Sequence, residues 1–201
     1  MSSEVITAYH SRNLDQEPDT VTIVPRAPDY LLLGTYSLVK NDSDETDAEQ
    51  ARKGSLQFLR FNAEQPESTG LSSVSSPKLD RKDFDFGIYD LHFHPIYTGL
   101  LGVATSNAEI LFYHSQAKYT AQDLLVVGKI QVEECQPGQS PAIITQFQFI
   151  VEAQDASSVT IHEHEPAFRT ILLAATTQFG ATKVMQVDLP TDHDERLRTQ
   201  G

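Results

Sequence analysis

Tryptophan is absent from this chain of 201 residues, and cysteine occurs once, at Cys135. A single thiol cannot build an internal disulfide framework and fits a reducing compartment. Basic residues are scarce as well: 15 Lys and Arg stand against 28 Asp and Glu, for a formal charge of −13. That balance argues against nucleic acid as a direct ligand, because binding phosphates needs clustered Lys and Arg. No apolar run approaches the roughly 18 residues of a membrane-crossing helix, and no charged-then-apolar leader opens the chain. These absences lead to the expectation of a soluble protein of the cytosol, with the nucleus also open to it. They leave the sequon Asn41-Asp42-Ser43 without a route to glycosylation. Hydrophobic residues make up 39%, which suits a single sheet domain over residues 1–201 with long polar loops.

What is present is a repeat. Leu31-Leu32-Leu33-Gly34-Thr35, Leu100-Leu101-Gly102-Val103-Ala104-Thr105 and Leu172-Leu173-Ala174-Ala175-Thr176 are short apolar strands ending in small residues. Each has an alternating strand upstream, at 20–24, 89–94 and 144–150, and another downstream, at 55–61, 109–114 and 183–189. A fourth strand at 123–132 completes the middle group, and 5–9 fits a short edge strand. A strand triplet that recurs three times predicts an array of antiparallel sheets, as in a β-propeller. Successive triplets lie about 70 residues apart, more than the roughly 40–50 of an ordinary propeller blade, so long insertions are expected. The acidic stretch 40–53 and the Ser-, Pro- and Glu-rich stretch 62–82 are those insertions, expected to be disordered; 190–201 is a polar tail. Three blades cannot close a ring, so the chain is expected to be an incomplete propeller, with apolar faces such as the one bearing Met185, Val187 and Leu189 left without a neighbouring blade, and prone to self-association through open sheet edges.

Candidate chemistry is sparse. In the middle group Tyr89, Leu91 and Phe93 fall on one face of the strand, with Ile88, Asp90, His92 and His94 on the other, and Pro95 ends it. Asp90 with His92 or His94 has the composition of a carboxylate orienting an imidazole that activates water. Structural roles compete with this, because a His-Pro strand end is itself a common framework feature. Cys135 follows two adjacent carboxylates in Glu133-Glu134-Cys135-Gln136-Pro137, which raise a thiol pKa and make it a poor nucleophile. His162-Glu163-His164-Glu165 alternates metal-ligand types but has no third ligand at an informative spacing and fits a solvated loop. Asp192-His193-Asp194-Glu195 carries less weight still, and Val127-Gly128-Lys129 lacks the remaining residues of a phosphate loop. Neither a cofactor nor a metal is called for, and no Gly-x-Ser-x-Gly nucleophile elbow is present.

The run Gly87-Ile88-Tyr89-Asp90-Leu91-His92-Phe93-His94-Pro95, followed by Leu100-Leu101-Gly102-Val103-Ala104-Thr105-Ser106-Asn107-Ala108-Glu109-Ile110, resembles a WD-repeat blade without its Trp-Asp ending. Ala27-Pro28-Asp29-Tyr30-Leu31-Leu32-Leu33-Gly34-Thr35-Tyr36, then Lys53-Gly54-Ser55-Leu56-Gln57-Phe58-Leu59, then the run from Gly87 to His114, follow one another in an order that resembles the N-terminal part of the diphthine methyl ester hydrolase family, diphthine methyltransferases in older naming. That resemblance spans roughly 5–189. It implies a WD-repeat propeller that hydrolyses the methyl ester of methylated diphthine on elongation factor 2 during diphthamide biosynthesis, a modification of a protein histidine. Members of the family carry further repeats beyond the point where this chain stops. A non-catalytic WD-repeat scaffold, or an inactive fragment, is the alternative.

Overall fold

The computed structural model describes residues 16–25, 27–39, 52–60, 79–115, 120, 123–133, 141–151 and 168–190. The expected strand 5–9, the expected tail 190–201 apart from Pro190, most of the two insertions, Cys135 and the His162 and Asp192 motifs lie outside them. The described residues form an all-β structure of eleven strands with no α-helix. They build three antiparallel sheets, each a meander in which consecutive strands pair. The first holds β1 (Glu17–Val24), β2 (Ala27–Leu38), β3 (Arg52–Arg60) and β4 (Leu79–Phe84). The second holds β5 (Ile88–Phe93), β6 (Leu100–Thr105), β7 (Glu109–Ser115) and β8 (Leu124–Gln131). The third holds β9 (Ile144–Ile150), β10 (Phe168–Thr177) and β11 (Thr182–Pro190).

Each sheet has its own apolar face to bury, and the three stack face to face. Leu32, Leu56 and Phe58 of the first sheet meet Leu91, Leu101, Val103, Leu111, Tyr113 and Leu124 of the second. The opposite face of the second, carrying Leu100, Ala104, Ile110, Phe112 and Val127, meets Ile144, Phe147, Phe149, Ile171, Leu173 and Leu189 of the third. The middle sheet is thus apolar on both sides, as the unbroken run Leu100 to Ala104 requires. Fully burying one such side chain contributes roughly 1.5–3 kcal/mol. The first strands are adjacent in space, with β1 against β5 and β5 against β9.

Close approach at those first strands depends on a small residue in the second strand. A Cβ on Gly34 would lie 2.6 Å from Ile88 Cγ2 and 3.2 Å from Leu91 Cδ1 of the next sheet. A Cβ on Gly102 would lie 2.6 Å from Cζ of Phe147, again in the next sheet. The repeat thus places the same device at the same point of two successive interfaces.

Three expectations are corrected. Leu79–Phe84 is a paired strand that includes the end of the 62–82 stretch, and Arg52 and Lys53 belong to β3 rather than to the acidic insertion. The charged sequence Leu79-Asp80-Arg81-Lys82-Asp83 hid this strand: it is an outer strand, paired only with β3, with no need of apolar alternation. The face bearing Met185, Val187 and Leu189 was expected to lack a neighbour. It packs on the second sheet instead, with Leu189 Cδ2 filling the space a Cβ on Gly128 would take. Lys183 also donates to the carbonyl of Val132 at 2.6 Å. Finally, a β-bulge between Ile88 and Asp90 shifts the alternation of β5, so Ile88 joins Leu91 against the first sheet.

Replacing Gly102 by Ala drives a methyl into the Phe147 ring, and chemical denaturation should register a loss of about 1–3 kcal/mol. Burial pushes the Tyr113 phenol up to about 12, against about 10 in an unfolded chain. The native state therefore keeps a proton that the unfolded state loses. Stability should be unaffected by this group below about pH 10 and fall between about pH 10 and 12, at up to about 1.4 kcal/mol per pH unit. Tyr113→Phe should remove that part of the alkaline loss in denaturant titrations.

Candidate functional site

The strand β5 carries the residues that sequence singled out, and its bulge decides how they point. Tyr89 is the extra residue: Ile88 pairs with Thr105 and Asp90 with Ala104, leaving Tyr89 without an opposite number. Beyond the bulge, Asp90 and His92 lie on the face toward the third sheet, two residues apart and hence side by side. His92 Nε2 approaches Asp90 Oδ2 to 3.2 Å.

Asp90 is buried, and both of its oxygens have further work. Oδ1 accepts from the Leu91 N–H at 3.0 Å, and Oδ2 accepts from the Phe147 N–H of β9 at 2.8 Å. The second bond crosses between sheets. It ties the first strand of the third sheet to the carboxylate beside His92 and fixes that carboxylate in place. The His92 ring meets Phe147 edge-on at 5.1 Å, while its side chain keeps 33% of its surface open to solvent. An imidazole held at Nε2 by a carboxylate presents Nδ1 to accept a proton from water.

The structure separates His94 from this pair. It follows the end of β5 and is buried; its Nδ1 accepts from the N–H groups of Ile96 and Tyr97 at 3.2 and 3.0 Å. Its ring stacks on Tyr97 at 4.7 Å and lies against Phe149. With the lone pair of Nδ1 committed to two backbone donors, His94 shapes the turn through Pro95 that leads into β6. Lys129, singled out with Gly128, ion-pairs with Glu109 at 2.7 Å on an exposed edge.

Residues that sequence did not single out flank the pair. β1 carries a bulge between Pro18 and Thr20, and Asp19 is its extra residue. Asp19 has its pKa raised above the ordinary carboxylate value, first by partial burial and then by the negative charge of Asp90. Tyr89 stacks on Tyr36 at 5.1 Å. Its hydroxyl pKa is raised by burial, an effect opposed by Arg52 and reinforced by Tyr36 and Asp19. Bulges re-aim side chains and favour the surroundings of active sites, but no composition signal marks a bulge in a single sequence. Asp19 and Tyr89 were invisible for that reason.

The framework does not by itself demand an Asp–His pair. In register, His92 opposes Gly102; the counterpart opposite Gly34 is Thr20, and the counterpart opposite Ala174 is Gln148. The first and third sheets thus carry a hydroxyl and an amide side chain where the second carries His92. Among the described residues no group of three or more His, Cys, Asp or Glu is arranged to hold a metal ion, and no helix is long and apolar enough to cross a membrane. No protein-family model and no curated protein matches the chain.

Asp19→Asn should raise the melting temperature at neutral pH, because it removes a charge that the native state disfavours. The sign follows from the raised pKa: the native state holds the Asp19 proton more tightly, so the charge destabilises above the ordinary carboxylate range. As pH falls through that range both proteins become neutral at this position and the difference should disappear. Paired melting curves against pH check both parts.

Proposed function

We propose that this chain is a hydrolase of a carboxylic methyl ester, that of methylated diphthine on elongation factor 2, acting in the cytoplasm in diphthamide biosynthesis. The observation that carries the reading is the Asp90–His92 contact of 3.2 Å, with the carboxylate anchored across the sheet interface by the Phe147 N–H. The order of sequence features that resembles the ester hydrolase family supports it independently, and so does the occurrence of the pair in one of three equivalent sheets. In this reading the three meanders, joined through their first strands, are blades of a WD-repeat-type propeller.

Asp90 orients the imidazole and stabilises the cation that forms on it. His92 takes a proton from water as the water oxygen attacks the ester carbonyl. Collapse of the tetrahedral intermediate breaks the bond to the methoxy oxygen, which leaves as methanol with the proton returned by His92. The product is the free carboxylate on the protein side chain.

A binding module without catalysis is the second reading. It is favoured by solvent-exposed apolar side chains on the outer sheets, Val21 and Ile23 on one and Val184 on the other.

Purified Asp90→Asn and His92→Gln variants should lose ester hydrolysis roughly 100-fold or more while keeping a cooperative melting transition. In cells without the protein, mass spectrometry of the modified histidine peptide should find methylated diphthine accumulated and diphthamide depleted. A normal diphthamide level would remove the enzyme reading and leave the binding module.

A further inference from the structure

The basic side chains of the described residues nearly all have partners or open water. Arg60 pairs with Asp29 at 3.1 Å, Arg81 with Asp83 at 2.6 Å and Lys129 with Glu109 at 2.7 Å. Lys82 and Lys183 donate to the carbonyls of Leu124 and Val132, and Lys53 is exposed. Arg52 differs. It is half-buried, yet its guanidinium has neither an ion pair nor a hydrogen bond among the described residues. The chain holds 28 Asp and Glu against 15 Lys and Arg, so a guanidinium that loses water without gaining a carboxylate is out of balance.

The strand pattern fixes where those donors stand. Leu56 and Phe58 of β3 face the second sheet, so Gly54 and Arg52 face it too. Backbone meets backbone there: a Cβ on Gly54 would lie 2.7 Å from the Phe86 carbonyl oxygen and 3.1 Å from Gly87 Cα. The chain entering β5 thus rests directly on the first sheet. A Cβ on Gly87 would in turn lie 3.0 Å from Tyr36 Cβ, 3.5 Å from Tyr89 Cε2 and 3.8 Å from Arg52 Cβ. Tyr36, Arg52 and Tyr89 therefore stand around one glycine, and all three are half-buried. The two rings stack at 5.1 Å with 28° between their planes. Neither phenol hydroxyl has a hydrogen-bond partner among the described residues.

Electrostatics agree with the geometry. The Arg52 charge reaches the Tyr89 hydroxyl and lowers that phenol against the effect of burial. It leaves no mark on Asp19, which is raised by burial and by Asp90, and none of Glu17, Asp19 and Asp85 forms an ion pair with it. A planar fork of donors beside two phenol hydroxyls matches an oxyanion, and a guanidinium grips a carboxylate through two parallel bonds. Charge chooses among oxyanions. Asp19 already brings negative charge to the Tyr89 hydroxyl, and one guanidinium balances one further charge. The near-dianion of a phosphate monoester would leave its second charge uncompensated.

We infer that Arg52, with the hydroxyls of Tyr36 and Tyr89, is a binding site for a single carboxylate of a partner polypeptide, carried on an acidic side chain or at a chain terminus. The guanidinium takes both carboxylate oxygens and the phenols donate beside it. Tyr89 immediately precedes Asp90 in the chain, so the bound group is held next to the strand that carries the Asp90–His92 pair. Carboxylate binding does not depend on ester hydrolysis, and it is measured without any reaction.

The test is ligand-observed NMR of the full chain with three probes: propionate for a glutamate side chain, N-acetylglycine for a chain terminus, and methyl phosphate, which is mostly dianionic at about pH 7.5. A carboxylate probe should bind saturably, and the tighter of the two names the source. Arg52→Gln should weaken that binding at least about tenfold, and Arg52→Lys, which keeps the charge without the fork, by less. Circular dichroism melting checks that each variant is folded. Should Arg52→Gln fail to fold, Arg52→Lys and Tyr89→Phe carry the test, each expected to lose affinity. Carboxylate binding that none of these variants weakens would lie elsewhere and overturn the assignment, as would a folded chain that binds neither carboxylate. Methyl phosphate bound as tightly as the carboxylates would overturn the choice of ligand class.

Discussion

Close approach of neighbouring first strands is the constraint on which the rest of this structure depends. Sheets stacked face to face ordinarily keep about 10 Å between their backbones. Here Gly34 and Gly102 remove the side chain that would hold the next sheet off, and Ile88, Leu91, Phe147 and Phe149 enter the space. The two core clusters form around these entries, and the middle sheet is buried on both faces because it both gives and receives. A larger residue at either glycine would push a whole sheet outward, since the neighbouring atoms are aromatic rings and branched aliphatic chains rather than flexible polar tips.

The candidate site is built on that same contact. Asp90 sits on the strand that enters the first sheet and accepts a hydrogen bond from the strand that enters the second. Packing and chemistry therefore share one carboxylate. This arrangement fixes the position of His92 with little help from loops, and it makes the site sensitive to how the third sheet seats. The nearby Asp19 bears the consequence, a pKa raised partly by the Asp90 charge, an electrostatic cost carried on a solvent-exposed bulge where water reduces it.

Bulges account for most of what the sequence left unread. Each first strand has one: at Asp19, at Tyr89, and between Ile144 and Gln146 opposite Thr177 and Thr176. Simple alternation along β5 put Ile88 beside Asp90, whereas the extra residue at Tyr89 sends it to the opposite core. The same counting brought Asp90 and His92 together correctly, because no irregularity intervenes between them. It also put His94 with them, and there the strand ends: a turn begins at His94, whose Nδ1 is taken by the N–H groups of Ile96 and Tyr97. The strand β4 escaped notice because its residues are mostly charged and its place at the sheet edge asks for no apolar row.

The sequence by itself determined the strands with strong period-two or fully apolar patterns, their grouping in threes and fours, and the repeat that relates Gly34, Gly102 and Ala174. Those are local properties, written in the order of side chains along the chain, and hydrophobic burial enforces them wherever the strands pack. Tertiary structure alone decided which face of each sheet meets which neighbour, and that Met185, Val187 and Leu189 join the core between the second and third sheets. It also decided that Asp90 reaches across to Phe147 while His94 turns away. These outcomes depend on bulges, on strand ends and on contacts between residues as far apart as Asp90 and Phe147. They arise from packing three sheets into one space, where the requirement to satisfy every buried donor and fill every gap selects among arrangements that the local pattern leaves equal.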